Sequence, residues 1–211
     1  DRAKAVRTAK LSVEKRSRGL LEAGLDEIQV SVNGVTAKTY QNVMQGNADF
    51  DELQQNLATF TRIRKEIPNQ LSKFSCCITT MRTNIGELKQ LPSFLAPYGI
   101  DNLRINTCLP FSEGMVNESL YDAPGWQNAA GVISQAVQEA RRLDMHVSHV
   151  RTQANGHTCD FPVKGLSISH DGEVSPCWML DIKGGYKFYR KGESFDLPFV
   201  SFGNVGERNL T

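Results

Sequence analysis

The sequence predicts an α/β fold with a parallel sheet, followed by a smaller segment that contains a β-hairpin. Strand-like and helix-like patterns alternate along residues 12–143, and short strands and turns replace the helical periodicity past His146. Alternation at this spacing is typical of βαβ units, whose strands lie parallel in an open sheet or a closed barrel. No internal repeat stands out beyond the βα unit.

The first such unit occupies the N-terminal third of the chain. Residues 12–23 carry leucines among charged residues and precede Gly24, which predicts an amphipathic helix with a C-terminal glycine. Residues 28–32 alternate and are rich in β-branched side chains, so they predict a strand. Apolar residues at spacings of three and four then predict one long helix over residues 36–67, which Pro68 ends.

The pattern repeats twice more. Residues 71–80 predict a second strand and residues 87–95 a second helical stretch. Residues 100–106 predict a third strand, and residues 126–143 predict a third helix after a polar loop.

The last part of the chain has a different character. Residues 166–170 and 173–177 are short strand candidates separated by Asp171-Gly172, a common hairpin turn. We therefore predict a domain boundary near residue 150. The predicted domains are residues 1–150 and residues 151–211.

Composition narrows the classes of partner. The 211 residues carry a formal net charge of +1, with the charges interspersed. This gives no electrostatic reason to expect nucleic acid or an anionic membrane as the main partner, and leaves a small ligand open. No apolar run reaches membrane-spanning length and the first residues do not resemble a secretory signal, so we predict a cytoplasmic protein. A start without Met and an end soon after Gly203-Asn204 lead us to expect a piece of a longer chain.

Polar residues follow the predicted strands where a ligand would lie. In a parallel sheet or barrel, ligands bind at the carboxyl ends of the strands. Those positions are residues 31–34, residues 79–84 and Asn106-Thr107. Small polar residues suit a binding face, but ordinary loops require the same residue types.

The five cysteines favour metal ligation or core packing over disulfides, because reducing compartments keep thiols free. A turn at residues 171–172 would bring Cys159 and Cys177 toward each other, and an iron-sulfur cluster is held by such thiolates. The alternative is that both are buried small side chains. Two cysteines do not complete a four-cysteine site.

The other cysteines and the histidines are weaker candidates. The adjacent Cys76 and Cys77 point to opposite faces of a strand, so they cannot both line one site. Together with Cys108 they are expected to pack in the core. A zinc site of mixed His and Cys ligands that uses His146, His149 or His157 is conceivable, although paired Cys-x-x-Cys knuckles are absent from the sequence.

Several segments together resemble the radical S-adenosylmethionine (SAM) family. Residues 24–34, GLDEIQVSVNG, resemble a strand and turn of that family, and residues 39–56 continue the likeness in register. Residues 80–87, which include Asn84, resemble the next strand end. The spacing of Cys159, Gly172 and Cys177 is similar to the opening of the SPASM and twitch extensions, and residues 202–205 resemble the Gly-Asn pair that follows it.

The resemblance implies the later part of a partial (β/α)6 radical SAM barrel and the start of a small SPASM or twitch-like extension. In that family a Cys-x-x-x-Cys-x-x-Cys loop binds the 4Fe-4S cluster that cleaves SAM to a 5'-deoxyadenosyl radical. This chain has neither that loop nor the family's Gly-Gly-Glu strand, so we expect it to be inactive except within a longer enzyme.

Site residues are carried over by position. Ser31 and Asn33 match the family's Ser and Asp near the SAM ribose and carboxylate, and Asn84 belongs to the same pocket. Asn33 keeps an acceptor oxygen but lacks the charge of Asp. Cys159 and Cys177 would ligate an auxiliary 4Fe-4S cluster. Relatives of this kind often modify peptides or proteins, which makes a peptide a candidate substrate.

Two other classes stay open at this stage. One is a non-catalytic α/β binding or scaffold module whose cysteines are buried. The other is a (β/α)8 hydrolase or aldolase, which the sequence does not favour because it has no evident paired-carboxylate or lysine constellation.

Overall fold

A parallel sheet of five strands organises the first part of the chain. The computed structural model describes residues 4–8, 14–46, 48–68, 71–120, 126–149, 165–190 and 192–207. The strands follow one another in sequence order across the sheet, as β1 (Lys4–Thr8), β2 (Glu27–Ser31), β3 (Lys73–Thr80), β4 (Asn102–Thr107) and β5 (His146–His149). Every neighbouring pair is parallel. The predicted α/β class and the parallel pairing of the three predicted strands are confirmed.

Helices connect the strands. They are α1 (Glu14–Glu22), α2 (Ala37–Met44), α3 (Phe50–Glu66), α4 (Leu91–Leu95), α5 (Glu113–Val116) and α6 (Trp126–Arg142), with 3-10 turns at Ile85–Gln90 and Ala96–Tyr98. Parallel strands need such crossovers, because the chain must return to the same end of the sheet before the next strand begins.

The core lies between one face of the sheet and the helices. Alternate residues of β2, β3 and β4 supply that face, and they meet apolar residues from α1, α3, α4 and α6. Phe60 of α3 and Phe74 of β3 illustrate the packing, with ring centroids 4.6 Å apart and both side chains fully buried. The period of two in the strands and the spacing of three and four in the helices therefore point at the same core.

The predicted long helix over residues 36–67 is wrong, because two helices occupy that range. Gln45 and Gly46 have positive φ angles of 54° and 61° and end α2. Asp49 then begins α3, since its carboxylate accepts hydrogen bonds from the backbone N–H groups of Asp51 and Glu52. This side-chain cap makes a new helix start favourable within a continuous apolar periodicity.

The described residues divide into two compact units. We call the residues within Asp1–Cys108 and Ala123–Val150 the sheet unit, and those within Leu109–Asp122 and Arg151–Thr211 the hairpin unit. The hairpin unit contains two antiparallel pairs, β6 (Ser167–Ile168) with β7 (Val174–Ser175) and β8 (Tyr186–Arg190) with β9 (Glu193–Leu197). The predicted hairpin at residues 171–172 is confirmed. The boundary near residue 150 stays a prediction, and the segment 109–122 groups with the residues that follow it.

Candidate functional site

The second face of the sheet is polar. Because successive strand residues point to opposite faces, the residues between the core positions of β2 to β5 share this face. Eight of them line one cavity of 620 Å³, namely Glu27, Gln29, Lys73, Ser75, Asn102, Arg104, His146 and Ser148. Asn102 Nδ2 donates to Ser75 Oγ at 2.8 Å, and Ser75 Oγ donates to Glu27 Oε1 at 2.7 Å. A hydrogen-bond chain thus crosses three strands on this face.

That cavity lies toward the amino ends of the strands. Asp26 and Leu71, which precede β2 and β3, belong to its lining. The predicted ligand positions instead follow the carboxyl ends of the strands. The cavity and the predicted site therefore share the polar face but occupy different parts of it.

Ser31 is the last residue of β2 and lies on the polar face by alternation with the core residue Val30. It is partly exposed. Its register neighbour in β3 is Cys77, whose sulfur accepts a hydrogen bond from Asn106 Nδ2 at 3.3 Å. Ser31 thus places a partly exposed hydroxyl at the carboxyl end of β2.

Asn33 joins the loop after β2 to the end of β3. Its Oδ1 accepts a hydrogen bond from the backbone N–H of Thr79 at 2.9 Å, and its Nδ2 contacts Met44 Sδ at 3.2 Å. The next residue must be small: a Cβ added to Gly34 would lie 2.7 Å from the backbone nitrogen of Tyr40, at the start of α2. Glycine is therefore required at position 34 by close packing of the loop against the helix.

Asn84 is fully buried and ties the same two loops together. Its Nδ2 donates to the backbone oxygens of Asn33 at 3.1 Å and Thr79 at 3.0 Å, and its Oδ1 accepts from Met81 N at 2.8 Å. Both amide hydrogens are used in these bonds. Asn33 and Asn84 thus come together from positions 51 residues apart, and the contacts of Asn84 order the loop. A direct contact between Asn84 and a ligand stays a prediction.

Glu87 completes this junction and was not among the predicted site residues. Its carboxylate accepts hydrogen bonds from the hydroxyls of Thr36 at 2.7 Å and Thr39 at 2.6 Å, and from the backbone N–H of Val35 at 2.8 Å. Burial alone would raise the pKa of Glu87, but these hydrogen bonds lower it below its ordinary value. We call Asn33, Asn84 and Glu87 the loop brace. A carboxylate three residues after the buried Asn84 was the available signal.

In the hairpin unit, the turn at residues 171–172 packs against the Gly203-Asn204 pair. Gly172 has φ +88°, and a Cβ added there would lie 2.7 Å from Asn204 Oδ1. Asn204 Nδ2 donates to the backbone oxygen of Asp171 at 2.8 Å, and Val205 N donates to Gly172 O at 2.9 Å. The two segments singled out for their likeness to an extension motif are therefore in direct contact.

Cys177 follows β7 and is partly exposed. Its sulfur accepts a hydrogen bond from the backbone N–H of Met179 at 3.4 Å, and its carbonyl oxygen accepts one from Leu180 N at 2.9 Å. A backbone N–H directed at sulfur stabilises a thiolate and suits a cluster ligand. Cys159 lies outside the described residues, so its predicted approach to Cys177 stays a prediction.

An aromatic group lies near Cys177. The ring of Phe111 packs edge-on against Trp178, Tyr186 and Phe188, at centroid distances of 6.2, 5.2 and 5.9 Å. The hydroxyl of Tyr186 is buried and has no hydrogen-bond partner in the described part of the chain. Burial and the nearby charge of Cys177 raise the pKa of this hydroxyl.

The remaining candidates fall to the core or outside the described residues. Cys76, Cys77 and Cys108 are buried, as predicted, and burial raises the pKa of Cys76. His146 and His149 are three residues apart in β5 and so point to opposite faces. Within the described ranges, no group of three or more His, Cys, Asp or Glu side chains could hold a metal ion.

No helix in the part of the chain that the structure describes is long and apolar enough to cross a membrane.

Among proteins of known sequence, the chain is similar to the tungsten-containing aldehyde ferredoxin oxidoreductase cofactor-modifying protein of Pyrococcus furiosus. The two are 23% identical over 205 residues, which is 95% of this chain and 55% of that protein. The chain thus spans about half the length of this curated relative. No family model matches the chain.

Among solved structures, the chain is similar to SuiB of Streptococcus suis. The SAM-bound structure matches 97% of this chain and 46% of SuiB, with a TM-score of 0.61 and 12% identity. The structure bound to the precursor peptide SuiA matches 97% of this chain and 46% of SuiB, with a TM-score of 0.58 and 13% identity. At this level of identity the likeness establishes a shared fold.

Proposed function

We propose that this chain is the later part of a radical SAM enzyme that cleaves SAM to a 5'-deoxyadenosyl radical and uses it to modify a substrate. The observation that carries the proposal is the loop brace, which joins the loops at the carboxyl ends of β2 and β3, where Ser31 ends β2 with a partly exposed side chain. The fold shared with a SAM-bound structure supports it. The segments around the brace are those that resemble the family.

In this proposal, one residue of the sheet unit contacts SAM and two others hold the loops of the site in place. Ser31 donates its hydroxyl to the SAM ribose or carboxylate. Asn33 and Asn84 hold the two strand-end loops in register, because their amides are engaged with backbone groups of those loops. The 4Fe-4S cluster that supplies the electron for SAM cleavage would be bound outside this chain, since the Cys-x-x-x-Cys-x-x-Cys loop is absent from its sequence.

The hairpin unit is proposed to hold an auxiliary 4Fe-4S cluster through Cys177 and Cys159, in a SPASM or twitch-like domain. The contact between Gly172 and Asn204 supports this assignment, because it joins the two segments that resemble the extension. The backbone N–H of Met179, which meets the sulfur of Cys177, also supports a ligand role for this cysteine.

The SAM site is tested by calorimetry on the complete protein that contains this chain, purified without oxygen. Ser31→Ala should weaken SAM binding by about 1 kcal/mol, or roughly fivefold, if one hydrogen bond is lost. Ser112→Ala, an exposed serine of the hairpin unit, is the matched control and should bind normally. Equal affinity of the Ser31→Ala variant and the unchanged protein contradicts the role of Ser31.

The cluster assignment is tested by counting iron per chain after anaerobic reconstitution. Cys177→Ala should lose the iron of one cluster, whereas Cys76→Ala should not, because Cys76 is buried in the core of the sheet unit. Equal iron in Cys177→Ala and the unchanged protein returns Cys177 to a structural role.

For the substrate we propose a peptide or protein, which the SuiB structure with precursor peptide SuiA supports. The name of the Pyrococcus furiosus relative instead points to a cofactor of an oxidoreductase. Reduced protein supplied with SAM should form 5'-deoxyadenosine faster when a peptide or protein substrate is added. A faster rate with an oxidoreductase cofactor, and none with peptides, would favour the cofactor as the substrate. Absence of SAM binding and of iron in the complete protein would favour the alternative, a non-catalytic α/β binding module.

A further inference from the structure

Neither the proposed SAM contact nor the proposed cluster uses the 620 Å³ cavity on the polar face of the sheet. Its volume lies in the range that small-molecule sites occupy. The floor of the cavity is polar, since Gln29 and Ser75 belong to its lining and are only 7% and 2% exposed. Lys73, Arg104 and His146 line it as well and are exposed. The cavity therefore combines a buried polar floor with a rim that solutes can reach.

The sheet register places the charges of this cavity on two sides. Asp26 and Glu27 belong to the β2 side, and Lys73 of β3 lies opposite Glu27. The acidic side therefore carries a cation of its own. Two strands away from β2, the lining residues that β4 and β5 contribute include Arg104 and His146 and no carboxylate among those the structure describes. An excess of positive charge consequently lies on the β4–β5 side.

Four hydrogen-bond donors are neighbours on that side. Asn102 lies opposite His146 in the register, and Arg104 lies opposite Ser148. We call these four residues the β4–β5 patch, and all four line the cavity. Adjacent strands are about 4.8 Å apart and alternate residues of one strand about 6.6 Å apart, so their Cα atoms outline an area of roughly 5 by 7 Å. An area of this size suits one carboxylate or phosphate group, which a guanidinium binds through two parallel N–H donors.

A hydrogen-bond chain on the cavity floor orients one member of the patch. Asn102 Nδ2 donates to Ser75 Oγ at 2.8 Å, and Ser75 Oγ donates to Glu27 Oε1 at 2.7 Å. An amide nitrogen carries two hydrogens, so the bond that holds one of them also fixes the direction of the other. Glu27 therefore acts through Ser75 to position Asn102, and its carboxylate is engaged on the side of the cavity away from the excess positive charge.

We propose that the β4–β5 patch binds the anionic group, a carboxylate or a phosphate, of a small molecule that occupies the cavity. Arg104 supplies a fixed positive charge and paired donors, and Asn102, His146 and Ser148 supply further hydrogen bonds. This site is additional to the proposed SAM contact at Ser31, and it requires neither SAM nor iron.

Calorimetry on the complete protein that contains this chain tests the site with two probes, inorganic phosphate and glutarate. At least one probe should bind saturably, with a dissociation constant on the order of 1 mM. Arg104→Gln should weaken that binding by about tenfold or more, because hydrogen bonds from a charged donor are lost. Arg141→Gln, at an exposed position near the end of α6, is the matched control and should bind like the unchanged protein. The probe that binds more tightly identifies the anionic group of the ligand as phosphate or carboxylate.

The absence of saturable binding of both probes overturns the site. Equal weakening in Arg104→Gln and Arg141→Gln also overturns it, because it would reflect unspecific attraction to surface charge. If Arg104→Gln does not fold, a double variant of His146→Ala and Ser148→Ala replaces it, and unchanged affinity in that variant overturns the site.

Competition with SAM separates this inference from the proposed function. Saturating SAM should leave probe binding unchanged, and displacement of the probe by SAM would assign the cavity to the SAM site and overturn a separate one. A protein that binds the probe through Arg104 but binds neither SAM nor iron retains this site and loses the proposed function. The two failures are therefore distinguishable.

Discussion

At the scale of single residues, Asn204 determines why position 172 is a glycine. The backbone at Gly172 has φ +88°, which disfavours any residue with a Cβ. In addition, the side-chain oxygen of Asn204 occupies the space that a Cβ would need, at 2.7 Å. Gly184 has the same φ of +88° but open space around it. A substitution at Gly184 therefore tests backbone strain alone, whereas one at Gly172 adds a steric contact with Asn204.

Gly172→Ala should destabilise the hairpin unit more than Gly184→Ala. Backbone strain alone costs about 1–2 kcal/mol in either variant. The contact with Asn204 should add roughly 1–3 kcal/mol in Gly172→Ala only. Urea unfolding followed by the fluorescence of Trp178, in a Trp126→Phe background, measures both. Adding Asn204→Ala to Gly172→Ala should recover part of the loss, and equal costs in the two single variants would contradict the contact.

Glu87 is the charged member of the loop brace, and its pKa gives the brace a pH dependence. Its pKa is lower in the folded state than its ordinary value of 4.5, despite burial, because four hydrogen bonds favour the charged form. Such a carboxylate stabilises the fold above its unfolded pKa, and the stabilisation is lost as the pH falls through the folded pKa. At neutral pH Glu87 is charged, and the full stabilisation by its hydrogen bonds is present.

Glu87→Gln should therefore destabilise the sheet unit at pH 7 by about 1–3 kcal/mol, since bonds to a charged acceptor are lost. The stability difference from the unchanged chain should shrink as the pH is lowered below 4.5. Denaturant midpoints between pH 3 and pH 7 measure it. Glu22→Gln, at the exposed end of α1, is the control and should show no such trend. A pH-independent difference would show that the charge of Glu87 is not what holds the loops.

At the scale of elements, the patterns that predict the fold are those in which local sequence and tertiary packing agree. Residues 28–32 and 71–80 became strands because their alternation matches a sheet with one apolar and one polar face. The helix break at Gln45 and Gly46 was missed, because apolar spacing continues across it while the cap at Asp49 restarts the helix. Apolar periodicity in a sequence indicates which residues are buried, whereas the capping residue indicates where a helix begins.

The strand β5 was also missed, for a reason that concerns the candidate site. Its sequence has one apolar residue, Val147, and polar residues on the other face. An edge strand of four residues with a polar face carries too little alternation to stand out. The loop brace was likewise only partly predictable: sequence pointed to Asn33 and Asn84, but the contacts of Glu87 depend on a loop 51 residues away.

Neighbouring residues of β4 should differ sharply in their contribution to stability. Leu103 is fully buried in the core, whereas Arg104 is exposed on the polar face and lines the 620 Å³ cavity. Leu103→Ala should cost about 2–5 kcal/mol through the lost contacts and the cavity that remains. Arg104→Ala should change stability by no more than about 0.5 kcal/mol. Thermal unfolding of the two variants measures this, and a large cost for Arg104→Ala would mean that the polar face is structural.

At the scale of the whole molecule, the two units differ in how they bury apolar surface. All residues of the main core cluster belong to the sheet unit. Among the described residues, every exposed large hydrophobic side chain except Leu71 belongs to the hairpin unit, namely Met115, Leu166, Ile168, Trp178, Ile182, Phe195, Phe202 and Val205. Clusters of exposed apolar side chains mark surfaces that bind something. Two-stranded hairpins are also marginally stable by themselves. A bound cluster, or a partner that covers these side chains, would therefore stabilise the hairpin unit.

Hydrogen exchange should reveal this difference within one molecule. In the complete protein without iron, backbone amides of β3 and β4 should exchange slowly, because they belong to a buried parallel sheet, and those of β8 and β9 should exchange quickly. Binding of metal to cysteine ligands couples to folding, so anaerobic reconstitution should slow exchange in the hairpin unit and leave β3 and β4 unchanged. Mass spectrometry of proteolytic fragments measures both regions at once. Cys177→Ala is the control, and it should remain at the iron-free exchange rates after reconstitution. Uniform slowing across both units, or no change in β8 and β9, would contradict a cluster that stabilises the hairpin unit specifically.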